Sequence, residues 1–492
     1  MLVNRLVLAL TGCTICVMAS AHGFAQRYDL PVPLHLYVGG AAAAVALSFV
    51  VVACFVRGDR TVKHYPSFNL LSTSAGRIIA SIPVRFLLRT FTVFMLVLVV
   101  VAGLIGIEDP FKNIAPTAVW VIWWVGLAYV SGLLGDLWAV INPWKAVFEA
   151  IDWLLGKFRP NMRLGLNRDY PGKLGSWAVV VLFVWFIWAE LIWPESDTPS
   201  EISRIVIIYS VITWIGMLIF GCRNWLRHGE VFTVLFGLLA RFAPTEYIAE
   251  KNEWNLRPWA VGLLPDKPIS VSLTMFVLLM LSSVTFDGLL ATPLWGEVAQ
   301  WMLISDLVRP FILLLQDTTG NAIAAISTIA LIVFLVVFQL LYLAFSVLMY
   351  ISTPANARAG LTIGEVARLF VLSLIPIALA YHLAHYLSFL LIVGQYIIPL
   401  SSDPFGFGWD LFGTRIYFPD IGIVNAKFVW ITSVIAVVTG HIIAVWLSHV
   451  VALRRLGDSK AALRSQIPML FLMVGYTMLS LWILAQPVVE TT

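Results

Sequence analysis

Residues 369–400 read LFVLSLIPIALAYHLAHYLSFLLIVGQYIIPL, a run without a single Asp, Glu, Lys or Arg. It is longer than the roughly 20 apolar residues that an α-helix needs to cross a bilayer. Near its middle sit His382, His385 and Tyr386. A titratable group at the bilayer centre costs at least ~2.5 kcal/mol on insertion scales, so groups kept there mark a site.

The rest of the chain has the same character. It is 60% hydrophobic and 12% charged, with a mean hydropathy of +0.91, outside the range of a soluble domain. Its 20 Trp and 14 Tyr suit rings settled at headgroup level. The net charge of +4 gives no case for nucleic acid. The expected partners are the lipid bilayer and an apolar small molecule.

Further spans are expected at 34–56, 91–107, 117–137, 176–193, 204–222, 270–290, 321–351, 427–453 and 467–487. The fold class is therefore all-α, a polytopic membrane protein of about ten transmembrane helices. Arg5, the apolar run 6–18 and Ala19-Ser20-Ala21 read as a secretory signal over residues 1–21, leaving 22–492 as one membrane domain. With the mature N-terminus outside, basic residues recur in alternate loops: Arg77, Arg85 and Arg89; Lys145, Lys157 and Arg168; Arg223, Arg227, Arg241 and Arg257; Arg358 and Arg368; Arg454 and Arg455. The intervening loops hold Glu108, Asp109, Glu195, Asp403 and Asp420 instead. The positive-inside rule then puts both termini in the periplasm of a bacterial inner membrane. Residues 231–242 are too short to span and read as a re-entrant or interfacial helix; 301–315 reads as one amphipathic helix on the outer surface; 401–420 reads as a loop over the outer mouth.

Cys13 and Cys16 would leave with the signal, and Cys54 and Cys222 imply neither a disulfide framework nor a thiolate metal site. The chemistry rests on other residues. His382 and His385, three apart, share a helix face. His441 enters from the opposite direction on the next helix, at about the depth of His382 by a rise of ~1.5 Å per residue. Glu190 and Asp287 lie near the outer ends of their helices. Three imidazoles and two carboxylates suit Zn, Fe or Mn, as one ion or two; Asp287, Glu190 and His385 are the expected catalytic groups. The same histidines could instead only join helices by hydrogen bonds. At the mature terminus, His22 with its free amine could clamp copper, although such terminal segments are often merely disordered, and with His35 it flanks Tyr28-Asp29-Leu30-Pro31, short enough to fold over the mouth. Asp136, Trp138, Asn142, Pro143 and Trp144 form a compact motif read as a structural helix end.

Several passages together resemble the bacterial integral-membrane fenitrothion hydrolases: HGFAQRYDLPVPLHLY at 22–37, the 136–144 motif, FDGLLATPLW at 286–295, AYHLAHY at 380–386, SDPFGFGWDLFGT at 402–414 and GHIIAVWLSHVVALR at 440–454. The resemblance implies hydrolysis of an organophosphorus triester to a nitrophenol and a dialkyl thiophosphate, and carries no residue assignments. A metal pair would lower the pKa of a bound water and polarise the phosphoryl group. Other functions that the residues allow are a metal or small-ion transporter using the cluster as a transit site, and a haem-binding redox protein with axial histidines.

Overall fold

In hydrocarbon no backbone N–H or C=O can go unpaired, so apolar segments of this length close their hydrogen bonds within helices. The structure, a computed structural model, describes residues 28–56, 65–159, 164–265, 267–358 and 360–489. The expected signal segment 1–21 and His22 lie outside the described residues. The helices named below are α1 (Leu34–Phe55), α2 (Ile82–Ile105), α3 (Ile114–Leu133), α4 (Pro143–Phe158), α5 (Trp177–Leu191), α6 (Pro199–Phe220), α7 (Cys222–His228), α8 (Val231–Ala240), α9 (Val271–Leu290), α10 (Pro293–Ile304), α11 (Arg309–Thr319), α12 (Ala322–Ser352), α13 (Ile363–Ser402), α14 (Ala426–Leu456) and α15 (Ser459–Ala485). Nine helices among the described residues are long and apolar enough to cross a membrane, ten if α10 and α11 form one broken span. The molecule is a multi-pass helical membrane protein.

Polar caps stop and start the spans. Ser270, Asn321, Asn425 and Asp458 each accept a backbone N–H in the first turn of α9, α12, α14 and α15, satisfying donors that the helix cannot. Leu47, Phe86, Val336 and Leu340 are all more than half exposed. That is the outward apolar surface a lipid-facing helix presents.

α13 occupies the centre, 78% buried over its most apolar stretch against 28% for α12. It packs on α14, α14 on α15, and α15 on α1 and α12. At Gly440 the α13–α14 contact is tightest, where a Cβ would stand 2.6 Å from the Ala380 Cβ and 2.7 Å from the Pro376 oxygen. α13 is not one smooth helix: 3₁₀ turns at Val371–Leu374 and Val393–Tyr396 separate its three α-helical parts, with Pro376 opening the middle one. Proline cannot donate to the preceding turn, so the ladder restarts there.

The structure departs from the sequence expectations in four places. The span expected at 176–193 is a helix of 15 residues, about 22 Å at 1.5 Å per residue; it falls short of the bilayer and packs on α9 and α8. The single amphipathic helix expected at 301–315 is instead parts of α10 and α11, bent by 107°, with Pro310 starting the second. Arg85 and Arg89, expected in a loop, belong to the first turns of α2; Arg89 bonds to the Val140 carbonyl and, at 2.9 Å, to Glu149. A small antiparallel sheet was also not expected: β1 (Phe68–Asn69), β2 (Thr245–Ile248) and β3 (Glu253–Leu256), with β3 central. It stands at the basic end of the bundle, where Arg257 pairs with Glu246 at 2.5 Å.

At the other, acidic end the two limits of the described chain meet, Tyr28 N–H donating to the Val488 carbonyl at 2.9 Å. Residues 28–30 pack with Val488, Val489 and Trp430. The loop 403–420 is folded around Asp403, whose carboxylate accepts from Phe407 and Gly408 N–H. It docks on the α2–α3 connection through bonds from Ile107 and Ile114 N–H to the Phe405 and Pro404 carbonyls.

Candidate functional site

α9 and α13 pack side by side, and this contact brings Asp287 to the histidine-bearing face of α13. His385 Nε2 lies 2.9 Å from Asp287 Oδ2, and the Tyr386 hydroxyl donates to the same oxygen at 2.5 Å. The His385 side chain is almost fully enclosed, whereas that of Asp287 keeps 21% of its surface exposed. The carboxylate is thus the part of the pair that an incoming molecule can reach.

Next to Asp287 the chain has no side chain: Gly288 lets the Tyr381 hydroxyl come within 2.4 Å of where a Cβ would be. That hydroxyl is buried with no hydrogen-bond partner. Glu190 of α5 is half-buried and lies within electrostatic reach of Asp287, beside the Trp124 indole. The His382 ring meets Trp124 edge-on at 5.8 Å between centroids and lies tilted against Tyr386 at 4.7 Å. It bonds to the Val125 backbone and its Nε2 has no partner. The wall opposite α13 is therefore α3, whose residues Thr117–Gly126 form a π-helix. Such wide turns are rare and gather at functional sites. Here the π turn aims Trp124 at both Phe186 and His382.

His441 does not join this group. Ser433 of α14 bonds to the Ala384 carbonyl, while Gly440 sits against Pro376 and Ala380. The eight-residue step from Ser433 carries His441 ~12 Å toward the basic end. Its Nδ1 bonds to the Val437 carbonyl at 2.8 Å, and its ring faces Tyr476, which in turn bonds to Thr285. His441 belongs to a second polar layer, below the Asp287 layer. Depth counted from helix ends misses this because the α13–α14 register is set by the close approach at Gly440, which helix lengths do not encode.

These placements bear on a metal. Among the described residues no three His, Cys, Asp or Glu side chains form a group that could hold an ion, and His385 Nε2 is committed to Asp287. As arranged, the donor set fits a hydrogen-bonded carboxylate–imidazole–phenol cluster and does not fit Zn, Fe or Mn, so no step below is routed through a metal. His35 stands in the first turn of α1, and Tyr28 and Leu30 pack on the cluster of Trp430, Ala485 and Val488.

A second buried carboxylate escaped the sequence reading. Glu230, fully enclosed, caps α8 by accepting Phe232 and Thr233 N–H at 2.9 and 2.8 Å. It also accepts the Tyr209 hydroxyl at 2.5 Å and the Asn142 amide at 3.3 Å. The 136–144 motif is thereby explained: Asn142 reaches Glu230, and Trp144 donates to Ser210 at 2.7 Å. A Glu directly before an apolar run was the available signal, as an N-cap.

Compared with models of protein families, with curated proteins and with solved structures, the chain has no match.

Proposed function

We propose that this protein is a membrane-embedded hydrolase of apolar phosphotriesters of the fenitrothion type, with Asp287 as the base that activates water. The observation that carries the reading is a partly exposed carboxylate set among the spans and held by two donors on one oxygen, His385 and Tyr386. The resemblance of the sequence supplies the substrate class.

Two donors on Oδ2 fix the carboxylate plane, and the partly exposed side chain presents the base to water. A water placed there loses a proton to Asp287 as its oxygen bonds to phosphorus. The aryl oxygen departs with the electron pair of the breaking P–O bond. Nitrophenolate is stable as an anion, so departure needs no acid. The product, a dialkyl thiophosphate diester, carries the new hydroxyl on phosphorus, ionises and leaves as its anion, and the partly exposed Asp287 gives its proton to solvent. Trp124, Phe186 and Trp188 offer an apolar wall for a substrate drawn from lipid.

The test is nitrophenol release from fenitrothion by the detergent-purified chain, with metal content measured on the same sample. Turnover by wild type that disappears in Asp287→Asn supports the reading. A wild-type chain that binds fenitrothion without releasing nitrophenol would remove it. The same cluster suits a proton relay in an ion-coupled transporter, and proton-coupled uptake in vesicles, lost in Asp287→Asn without any hydrolysis, would favour that alternative.

A further inference from the structure

α9 joins two different places. Its start, Ser270 and Leu273, lines a cavity of about 850 Å³ at the basic end of the bundle, and Asp287 follows 14 residues later, ~21 Å away along the axis. The cavity is within the size range of small-molecule sites. Cations reach it from three elements, Lys145 of α4, Arg223 and Arg227 of α7, and Arg241 just after α8, with the His228 imidazole beside them. Among the described residues, its one acidic lining residue is Glu149, which is already engaged by Arg89 at 2.9 Å and by Lys145 at 4.0 Å.

Among the described residues, no carboxylate pairs with Arg223, Arg227 or Arg241. The positive-inside bias requires cations somewhere in these loops, but not that they converge on one concavity. Nearby carboxylates offset this charge only in part, Asp136 toward Lys145 and Glu246 toward Arg241, and converging like charges are unfavourable unless an anion binds among them. Polar groups complete the floor, Asn142 and Thr233, both fixed by Glu230. Gly237 keeps one wall of α8 bare, with only Asp136 near a would-be Cβ. The His228 ring rests on Tyr170 at 5.1 Å, and its Nδ1 is buried without a partner.

We infer that this vestibule is a binding site for a phosphate-bearing anion, either a soluble phosphate compound or an anionic lipid headgroup. Guanidinium forks match phosphate oxygens in pairs, and basic pockets between spans are typical seats for such headgroups.

The experiment uses the full chain purified in detergent. Equilibrium dialysis with labelled pyrophosphate measures the soluble arm. Native mass spectrometry after reconstitution in phosphatidylcholine containing phosphatidylglycerol measures the lipid arm. One saturable equivalent of pyrophosphate identifies a soluble ligand; one retained phosphatidylglycerol that pyrophosphate displaces identifies a headgroup. Arg227→Gln and Arg241→Gln should each weaken the bound species at least about tenfold, the loss of roughly one charged hydrogen bond. Arg85→Gln and Arg464→Gln remove the same charge outside the cavity and should change binding less than twofold. Should the cavity variants fail to fold, Glu149→Gln decides, since removing the one lining carboxylate must tighten binding. No saturable binding in either arm, equal weakening by the outside variants, or no tightening in Glu149→Gln would overturn the inference.

Discussion

Asp287 combines two conditions inside a membrane bundle: hydrogen-bond donors on its carboxylate and a side chain that stays partly exposed. A structural carboxylate satisfies the first only, as Glu230 does with every partner inside the protein. The two residues should therefore fail differently. Asp287→Asn keeps the shape but loses the base, so nitrophenol release should fall by ~10²–10⁴, the usual worth of a general base, with little change in melting temperature. Tyr386→Phe removes one orienting bond and should cost about tenfold at most, with stability lowered by ~0.6–1.7 kcal/mol, the range for hydrogen bonds between membrane helices. Glu230→Ala strips the α8 cap and strands buried donors of Tyr209 and Asn142. It should destabilise by at least about 2–4 kcal/mol, read as a lower melting temperature. A Glu230→Ala chain that melts like wild type would show that α8 does not depend on its cap. The histidine pair and Asp287 were legible in the sequence because charge in an apolar run stands out. Tyr386 as a partner of Asp287 was not, because a Tyr within a span reads equally as an interfacial ring.

At the scale of elements, what the sequence conveyed well was length and polarity, and what it concealed was register. Each expected span has a helix, since a bilayer imposes one requirement on all of them. Where two helices meet depends on which small residues let them approach, and that is set pairwise. Gly440 fixes the α13–α14 register and so the depth of His441, the one expected ligand that the structure sets apart. The π-helical part of α3 was hidden for a similar reason: nothing in the run Thr117–Gly126 distinguishes one more residue per turn from an ordinary helix. The register argument has a direct check. Gly440→Leu must push α14 away from Pro376 and Ala380, so it should lower the melting temperature and reduce turnover together, because α13 carries the site. Gly475→Leu, where a Cβ meets nothing within 4 Å, should leave both within error. Equal behaviour of the two variants would mean that the close approach at Gly440 is not what sets the packing.

For the whole molecule, the two ends of the bundle differ in charge and in contents. Asp287 and its partners lie toward the acidic end, and the cation-lined vestibule opens at the basic end. The expected orientation, basic end inward, makes the site face the side from which a xenobiotic arrives. Two cysteines can test this without any fusion or tag. Cys54, exposed near the end of α1, and half-buried Cys222 at the start of α7 are both free thiols at the basic end. An impermeant maleimide added to intact cells should label neither, and in opened membranes Cys54 should react readily. Cys222 should lag, because burial, with Glu149 nearby, pushes its thiol up to about 11. Only the thiolate attacks, so a thiol with a raised pKa is almost wholly protonated near pH 8. Its labelling should grow about tenfold per pH unit until the medium approaches that pKa. Site-resolved mass spectrometry separates the two peptides. Labelling of Cys54 from outside intact cells would invert the molecule, turning the Asp287 cluster toward the cytoplasm and requiring its substrate to come from within.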